Sequence, residues 1–204
     1  MESRERMVVE QIKARGVKDA RVLDAMMQVP RHHFLPEAQR GEAYDDRPVP
    51  IGHGQTISQP YIVAYMTEAL RADFSHRVLE IGTGCGYQTA ILAQLAAEVY
   101  SIERVPELAE RARRTLSAQG YTNVHIRTGD GYAGWPEHAP FDRILGAAAA
   151  EDVPPVLVDQ LADGGILVIP VGTWEQELRV LQKHGERLDT LATLPVRFVP
   201  MIKS

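Results

Sequence analysis

Gly82, Gly84 and Gly86 stand at every second position after the run Val78, Leu79, Glu80 and Ile81. The apolar residues suit a buried strand of a parallel sheet, and the glycines suit a loop where backbone must come close to a ligand. Ala90, Ile91, Leu92, Ala93 and Leu95 follow at helical spacing. Strand, glycine loop and helix together make the nucleotide-facing end of a βαβ unit. Two more carboxylates fall where an adenosine-bearing ligand needs them. Glu103 ends the next apolar run, EVYSIE, about 20 residues beyond the glycines, where an acidic side chain accepts from ribose hydroxyls. Asp130, between Gly129 and Gly131, can reach an adenine amino group. Plainer roles stay open for both: a strand-end partner for Arg104 or Arg111, and a turn residue.

The spacing separates two cofactor classes. Dinucleotide sites favour G-x-G-x-x-G, because a pyrophosphate lies on the helix N-terminus. Here the pattern is G-x-G-x-G with Glu80 two positions before the first glycine, the form that fits S-adenosylmethionine, which has no pyrophosphate. The expected cofactor contacts are Glu80, Gly82, Thr83, Gly84, Cys85, Gly86, Glu103, Arg104, Asp130 and Gly131. Cys85 also reads as a small filler inside the loop. The fourth strand ends in Gly146, Ala147, Ala148, Ala149 and Ala150, small residues that leave room for a substrate at the switch point or pack tightly against a helix. Ser58 has no Ser-His-Asp spacing and no G-x-S-x-G elbow around it, so an activated serine nucleophile is not indicated. Its plain reading is a helix cap. His32, His33 and His53 lack ligand-like spacing, and no metal site is expected.

The elements that position these residues follow from periodicity. Two helical patterns occupy residues 4 to 29, separated by Gly16, with Asp19 capping the second and Pro30 closing it. Regular periodicity lapses from Gly41 to Gln59, a length that a compact domain keeps irregular when it covers or binds something. A helix then starts with Pro60 near its first position and Ser58 or Gln59 at the cap. Strands are expected at about 77 to 81, 98 to 103, 123 to 128, 142 to 147 and 165 to 170, and helices near 87 to 96, 106 to 119 and 153 to 162. Antiparallel strands follow Gly172. The fold class is α/β: a doubly wound, mostly parallel, Rossmann-like sheet with an N-terminal helical segment and antiparallel C-terminal strands. It reads as one methyltransferase domain over 1 to 204, with N-terminal helices and a substrate-covering loop in 1 to 70, the cofactor-binding core in 77 to 172 and the last strands in 173 to 204.

The 204 residues suffice for one full core, and 45% apolar with 24% charged residues is ordinary globular composition. A net charge of -5 gives no global attraction to nucleic acid. A single cysteine forms no internal disulfide, the N-terminus has no secretory pattern and no apolar run reaches a membrane span. A cytoplasmic monomer, away from membranes, is the expectation.

The chain resembles the protein-L-isoaspartate (D-aspartate) O-methyltransferase family over nearly its whole length. The resemblance is carried by RVLDAMMQVPRHHFLP, AYDDRPVPIGHGQTISQPYIVAYM, VLEIGTGCGYQTAILA, GDGYAGWPEHAPFDRI, GGILVIPVG and PVRFVPM, and GQTISQP with the terminal PVRFVP is its most specific part. It implies methyl transfer from S-adenosylmethionine, leaving S-adenosylhomocysteine, to the α-carboxylate of L-isoaspartyl residues in damaged proteins and peptides. Ser58 is then the catalytic residue, and Thr56, Ile57, Ser58, Ala147, Val196, Phe198 and Val199 contact substrate, with main-chain bonds offered by a C-terminal strand from Val196 to Met201. The resemblance also implies exchanged positions for the last two strands relative to other methyltransferases. One departure stands out. Where the family usually reads near VTAAAP, this chain has Gly146 and Ala150 at the threonine and proline positions.

Other readings are weaker. A nicotinamide oxidoreductase would show G-x-G-x-x-G and a Tyr-Lys or His pair. A non-catalytic binding module would have lost the glycines, Glu103 or Ser58. A nucleobase methyltransferase would carry an Asn-Pro-Pro-Tyr-like motif at the fourth strand. Methylation of another small-molecule or protein carboxylate is the nearest alternative.

Overall fold

A computed structural model describes residues 3–203. Its centre is a seven-stranded sheet, β3 (Arg77–Ile81), β4 (Glu98–Glu103), β5 (Val124–Thr128), β6 (Phe141–Gly146), β7 (Leu161–Val171), β8 (Gln176–His184) and β9 (Arg187–Val196), in the spatial order 5-4-3-6-7-8-9. Strands β3 to β7 pair parallel, and β8 and β9 pair antiparallel. Strand order reverses between β3 and β6, so the carboxyl ends of those strands open a crevice there. The last two strands run in chain order, β8 beside β7 and β9 at the edge.

The near-continuous apolar runs of β3, β6 and β7 are covered on both faces. Val78, Val99, Leu145 and Val168 pack with Met66 and Leu70 of α3 (Pro60–Leu70) and Leu92 of α4 (Tyr87–Ala93). Leu79, Ile102, Ile144 and Leu167 turn the other way, onto Leu157 of α6 (Pro155–Asp159). A third cluster joins Met7, Ile12, Met26 and Phe34 of the N-terminal segment to Ile51, Tyr87, Ile91 and Leu116. Leu116 belongs to α5 (Pro106–Ala118). The N-terminal segment is thus packed onto the helices beside the glycine loop rather than appended to the sheet.

That segment begins with α1 (Ser3–Arg6), passes through a π-helical stretch (Met7–Ile12) and a 3-10 turn (Lys13–Arg15), and ends at Gly16 with φ +102°. Asp19 caps α2 (Ala20–Gln28) as anticipated, accepting from the Arg21 amide at 2.9 Å. Two anticipated helices are shorter than their patterns. α4 stops at Ala93 because the Asn123 side-chain amide donates to the carbonyls of Ala93, Ala96 and Ala97, at 3.1 to 3.3 Å. The 153 to 162 helix ends at Asp159 because Leu161 is already paired with Phe141 in the sheet. The stretch from Gly41 to Gln59 is not wholly irregular: it holds a two-stranded hairpin, β1 (Val49–Gly52) and β2 (Gln55–Ile57). Consecutive positive φ values at Gly52, His53 and Gly54 turn it. Among the described residues no helix is long and apolar enough to cross a membrane.

The turn between β7 and β8 sits at the carboxyl edge of the sheet and depends on Gly172. Its φ is +119°, and a Cβ there would collide with the Glu175 carbonyl oxygen. Gly172→Ala is expected to lower unfolding free energy by at least about 2 kcal/mol, from left-handed strain plus the clash, measured by urea denaturation.

Candidate active site

The crevice at the switch point is a cleft of ≈ 950 Å³, counting its open mouth, at the place where open α/β sheets bind ligands. Its floor is the glycine loop. Gly82 leaves β3 at φ +98° with its amide bonded to the Ile102 carbonyl at 2.8 Å, and Gly84 follows at φ +56°. Only glycine takes both conformations cheaply. Space is a lesser reason than backbone: a Cβ on Gly82 would stand 3.4 Å from the Ala147 methyl, and one on Gly84 3.4 Å from Ile51 Cδ1, both about van der Waals contact. Across the cleft, a Cβ on Gly131 would collide with Ile81 Cγ2. Gly82, Thr83, Gly84, Cys85, Glu103, Arg104 and Gly131 all line this space.

Glu103 is the carboxylate on the wall. Its Oε2 accepts from the Gly84 amide at 2.7 Å and its Oε1 from the Val105 amide at 2.9 Å, with the residue 6% exposed. Neither plainer partner, Arg104 nor Arg111, engages it. The carboxylate has lone pairs left over for hydroxyl donors in the cleft.

Three expected cofactor contacts have structural parts of their own. Glu80 lies beneath the loop, fully buried, because strand alternation turns it with Val78 toward α4 while Ile81 reaches the cleft. Its Oε2 accepts from the hydroxyls of Thr89, at 2.6 Å, and Ser101, at 2.5 Å, and Ser101 shares a 2.6 Å bond with Thr83 of the loop. Gly86 does not line the cleft. Its bare Cα lets α4 start 3.1 Å, measured from an added Cβ, from Leu116 Cδ1 of α5. Asp130 caps the turn Gly131–Ala133, accepting from the Tyr132 amide at 2.9 Å, and Gly131 rather than Asp130 forms the wall. Cys85 is buried, and burial pushes its thiol up, as befits a filler rather than a reactive group.

The opposite wall comes from β2 and the residues after it: Thr56, Ile57 and Ser58. Ser58 is not the helix cap. Gln59 occupies that position, with Pro60 opening α3, and no side-chain bond caps the helix. Among the described residues nothing hydrogen-bonds the Ser58 hydroxyl. A second groove adjoins the cleft and shares Thr56, Ser58, Ala147 and Val199 with it, adding Val196 and Phe198. The anticipated strand over Val196 to Met201 is absent, since β9 ends at Val196. The chain instead crosses back over the sheet end. Ala149 N donates to the Val199 carbonyl at 2.8 Å and Met201 N to the Ala149 carbonyl at 2.7 Å. Gln176 takes both main-chain groups of Phe198, at 2.6 and 3.2 Å. Both main-chain groups of Phe198, the Val199 carbonyl and the Met201 amide are therefore already committed.

Gly146 is explained by its neighbour: a Cβ there would be 2.8 Å from Ile169 Cγ1, so a threonine would need Ile169 to move. Sequence reasoning missed Val63 and Met66 of α3, Tyr87 and Met201 on the cleft wall. Their signal was submerged in helix periodicity or in the tail. Arg111, whose Nη2 holds the Ile51 carbonyl at 2.8 Å, and Arg31 were likewise unmarked.

A model of the protein-L-isoaspartate(D-aspartate) O-methyltransferase family matches residues 2–204. The chain belongs to that family. It is 58% identical over 198 residues to a protein-L-isoaspartate O-methyltransferase of a Picosynechococcus strain, covering 97% of this chain and 89% of that one. The Opitutus terrae protein of the same name is 58% identical over 202 residues, 98% of this chain and 87% of its own. One solved protein-L-isoaspartate O-methyltransferase superposes with a TM-score of 0.88 at 30% identity, over 97% of this chain and 65% of that chain. Another, described as putative and from Plasmodium falciparum, superposes over the full length of both with a TM-score of 0.84 at 28% identity, in complex with S-adenosyl-L-homocysteine. Family membership makes this an S-adenosylmethionine-dependent methyltransferase, and the glycine floor with Glu103 on the wall fits that group.

Desolvation, the largest cause, raises the Glu80 carboxyl from 4.5 to about 7, against the hydrogen bonds from Ser101 and Thr89. Between those values the folded protein retains a proton that the unfolded chain has lost, so stability falls as pH rises through that window. Glu80→Gln cannot titrate. Its unfolding free energy relative to the parent should improve by roughly 2–3 kcal/mol from pH 4.5 to above pH 7, read from urea unfolding at both ends.

Proposed function

We propose that this chain is a repair enzyme that methylates the α-carboxylate of L-isoaspartyl residues in damaged proteins and peptides, with Ser58 orienting the acceptor. The observation that carries the reading is the position of Ser58. Its hydroxyl is uncommitted and lies where the donor cleft and the adjoining groove meet. The cleft suits a cofactor, and the groove, open and walled by Ile62, Leu194, Val196 and Phe198, suits a peptide.

Bound S-adenosylmethionine supplies an electrophilic methyl group on a sulfonium centre. On this reading Gly82 to Cys85, Glu103, Arg104 and Gly131 hold the donor, and Thr56, Ile57, Ala147, Val196, Phe198 and Val199 receive the acceptor. An isoaspartyl α-carboxylate is ionised at neutral pH, so the chain has no proton to remove and needs no general base. What the chain supplies is alignment and the exclusion of water, since attack of an anion on a cation disperses charge and is favoured in a dry site. Ser58 donates one hydrogen bond to a carboxylate oxygen and leaves the other facing the donor. The hairpin β1–β2, held to α5 by Arg111, covers the site. Glu80 stiffens the loop from below. A cytoplasmic location belongs to the same reading, supported by a single thiol that is buried and unpaired.

The discriminating assay is transfer of labelled methyl to matched isoaspartyl and aspartyl peptides. Labelling is expected on the isoaspartyl peptide alone, and equal or absent labelling of both overturns the assignment. Ser58→Ala should lower kcat by at least about tenfold, the equivalent of one charge-assisted hydrogen bond, while S-adenosylhomocysteine affinity by calorimetry stays within about twofold.

A further inference from the structure

Arg31 is a cation with no accessible surface, placed in the turn Arg31–Phe34 directly after Pro30. Among the described residues no carboxylate pairs with it. Its Nε donates to the Ala43 carbonyl at 2.7 Å and its Nη2 to the Ser58 carbonyl at 2.7 Å. The guanidinium lies 4.9 Å from the centroid of Tyr87, and Nη1 is buried without a hydrogen-bond partner. The titratable groups facing it are two phenols and a thiol rather than carboxylates: Tyr87, Cys85 and Tyr44. Burial of an unpaired guanidinium is costly, and an apolar side chain of similar size would fill the space more cheaply. The geometry shows what the cation does instead. It ties three segments remote in sequence: residue 43 before the hairpin, residue 58 after it, and Tyr87, the residue that follows the glycine loop and lines the cleft.

We propose that Arg31 is a positioning residue for methyl transfer, holding the Ser58 main chain at a fixed distance from the donor side of the cleft. This rests on the reading of Ser58 as the residue that orients the acceptor. Ser58 begins no helix and carries no side-chain bond of its own, so its place is set by its backbone. On one side the backbone continues into β2, and on the other into Pro60 and α3. Between them the Ser58 carbonyl is held only from Arg31 among the described residues. The guanidinium matters because it is a planar fork: two of its nitrogens reach two carbonyls at once, with its central carbon 4.9 Å from the Tyr87 ring centroid. A lysine ammonium has the charge but not the fork. Small misplacement of an aligning group is expensive in rate, whereas the donor's own contacts lie on the other wall. Arg31 therefore acts on turnover through Ser58 and leaves donor binding alone.

The test compares Arg31→Lys, Ser58→Ala and the double variant, using an isoaspartyl peptide as acceptor and S-adenosylhomocysteine as binding probe. Arg31→Lys should retain its near-ultraviolet circular dichroism and its S-adenosylhomocysteine affinity within about twofold, and lose at least about tenfold in kcat. Amide hydrogen exchange should quicken across residues 55 to 59 and stay unchanged in β3 and β4. Combined with Ser58→Ala, the second substitution should add little, because both remove the same alignment. A second change leaves every side chain in place: replacing the amide between Ser58 and Gln59 by an ester weakens the Ser58 carbonyl as an acceptor and should lower kcat in the same direction. Normal kcat in a folded Arg31→Lys, or losses that multiply in the double variant, overturn the proposal. If Arg31→Lys does not fold, the ester decides it, and an unchanged kcat there overturns it. Ser58→Ala at full rate overturns the reading of Ser58 and this proposal with it, whereas a slow Ser58→Ala beside a normal Arg31→Lys overturns only the role of Arg31.

Discussion

A backbone that turns sharply at the carboxyl edge of a sheet, to pass close to a ligand, cannot satisfy its own amides by regular structure. The loop Gly82 to Gly86 is under that constraint, and the surrounding architecture answers it. Ile102 of β4 takes the Gly82 and Thr83 amides, which requires β4 to be the parallel neighbour of β3. Glu103, one residue further, takes the Gly84 amide. The acidic residue at the end of the second strand therefore has a duty to the loop before it meets any ligand. Its two backbone bonds fix both oxygens at the cleft wall, so the group that would receive hydroxyls is preorganised rather than a free side chain.

The same loop explains two ionisable groups buried on opposite sides of it. Glu80 sits under the loop with two hydroxyls on one oxygen and nothing on the other. Arg31 sits beyond it with two carbonyls and an unpartnered nitrogen. Neither has an opposite charge in contact. For Glu80 the consequence is a proton held to near neutrality; a guanidinium has no such escape in the accessible range. Partly satisfied polar networks are poor contributors to stability, and both of these lie within one or two residues' reach of the cleft. They are best understood as fixing backbone where regular structure does not.

The core of the molecule was legible from the sequence because its signals are local. The strands near 77 to 81, 98 to 103 and 142 to 147 announced themselves as apolar runs, and the Asp19 cap and Pro60 helix start as single-residue punctuation. Glu103 could be placed by distance from the glycines alone. Illegible parts depended on contacts between distant segments. Strand alternation was available for Glu80, yet its burial needed Thr89 and Ser101, nine and 21 residues away. The early end of α4 came from Asn123. The tail from Val196 to Met201 read as a strand by its composition, and became a crossing segment because Ala149 and Gln176 claimed its backbone.

The two sides of the cleft are consequently built on different principles. The donor side is the end of a sheet, where strand register determines where Gly82, Glu103 and Gly131 stand. The wall proposed for the acceptor is assembled from a hairpin, the first turn of α3, the alanines after β6 and the crossing tail, and of these the alanines and the tail pair through the single bridge Ala149–Pro200. Such a wall needs ties from outside the sheet, and the ties are the long, forked or amide side chains that reach main-chain carbonyls and amides: Arg111 to Ile51, Gln176 to Phe198, Arg31 to Ser58. Gly146 belongs to the same logic, because Ile169 already fills the space above it and the alanine run can lie flat across the strand ends. On the proposed reading, donor recognition is thereby a property of the fold, and acceptor recognition a property of a few side chains that brace irregular backbone against it.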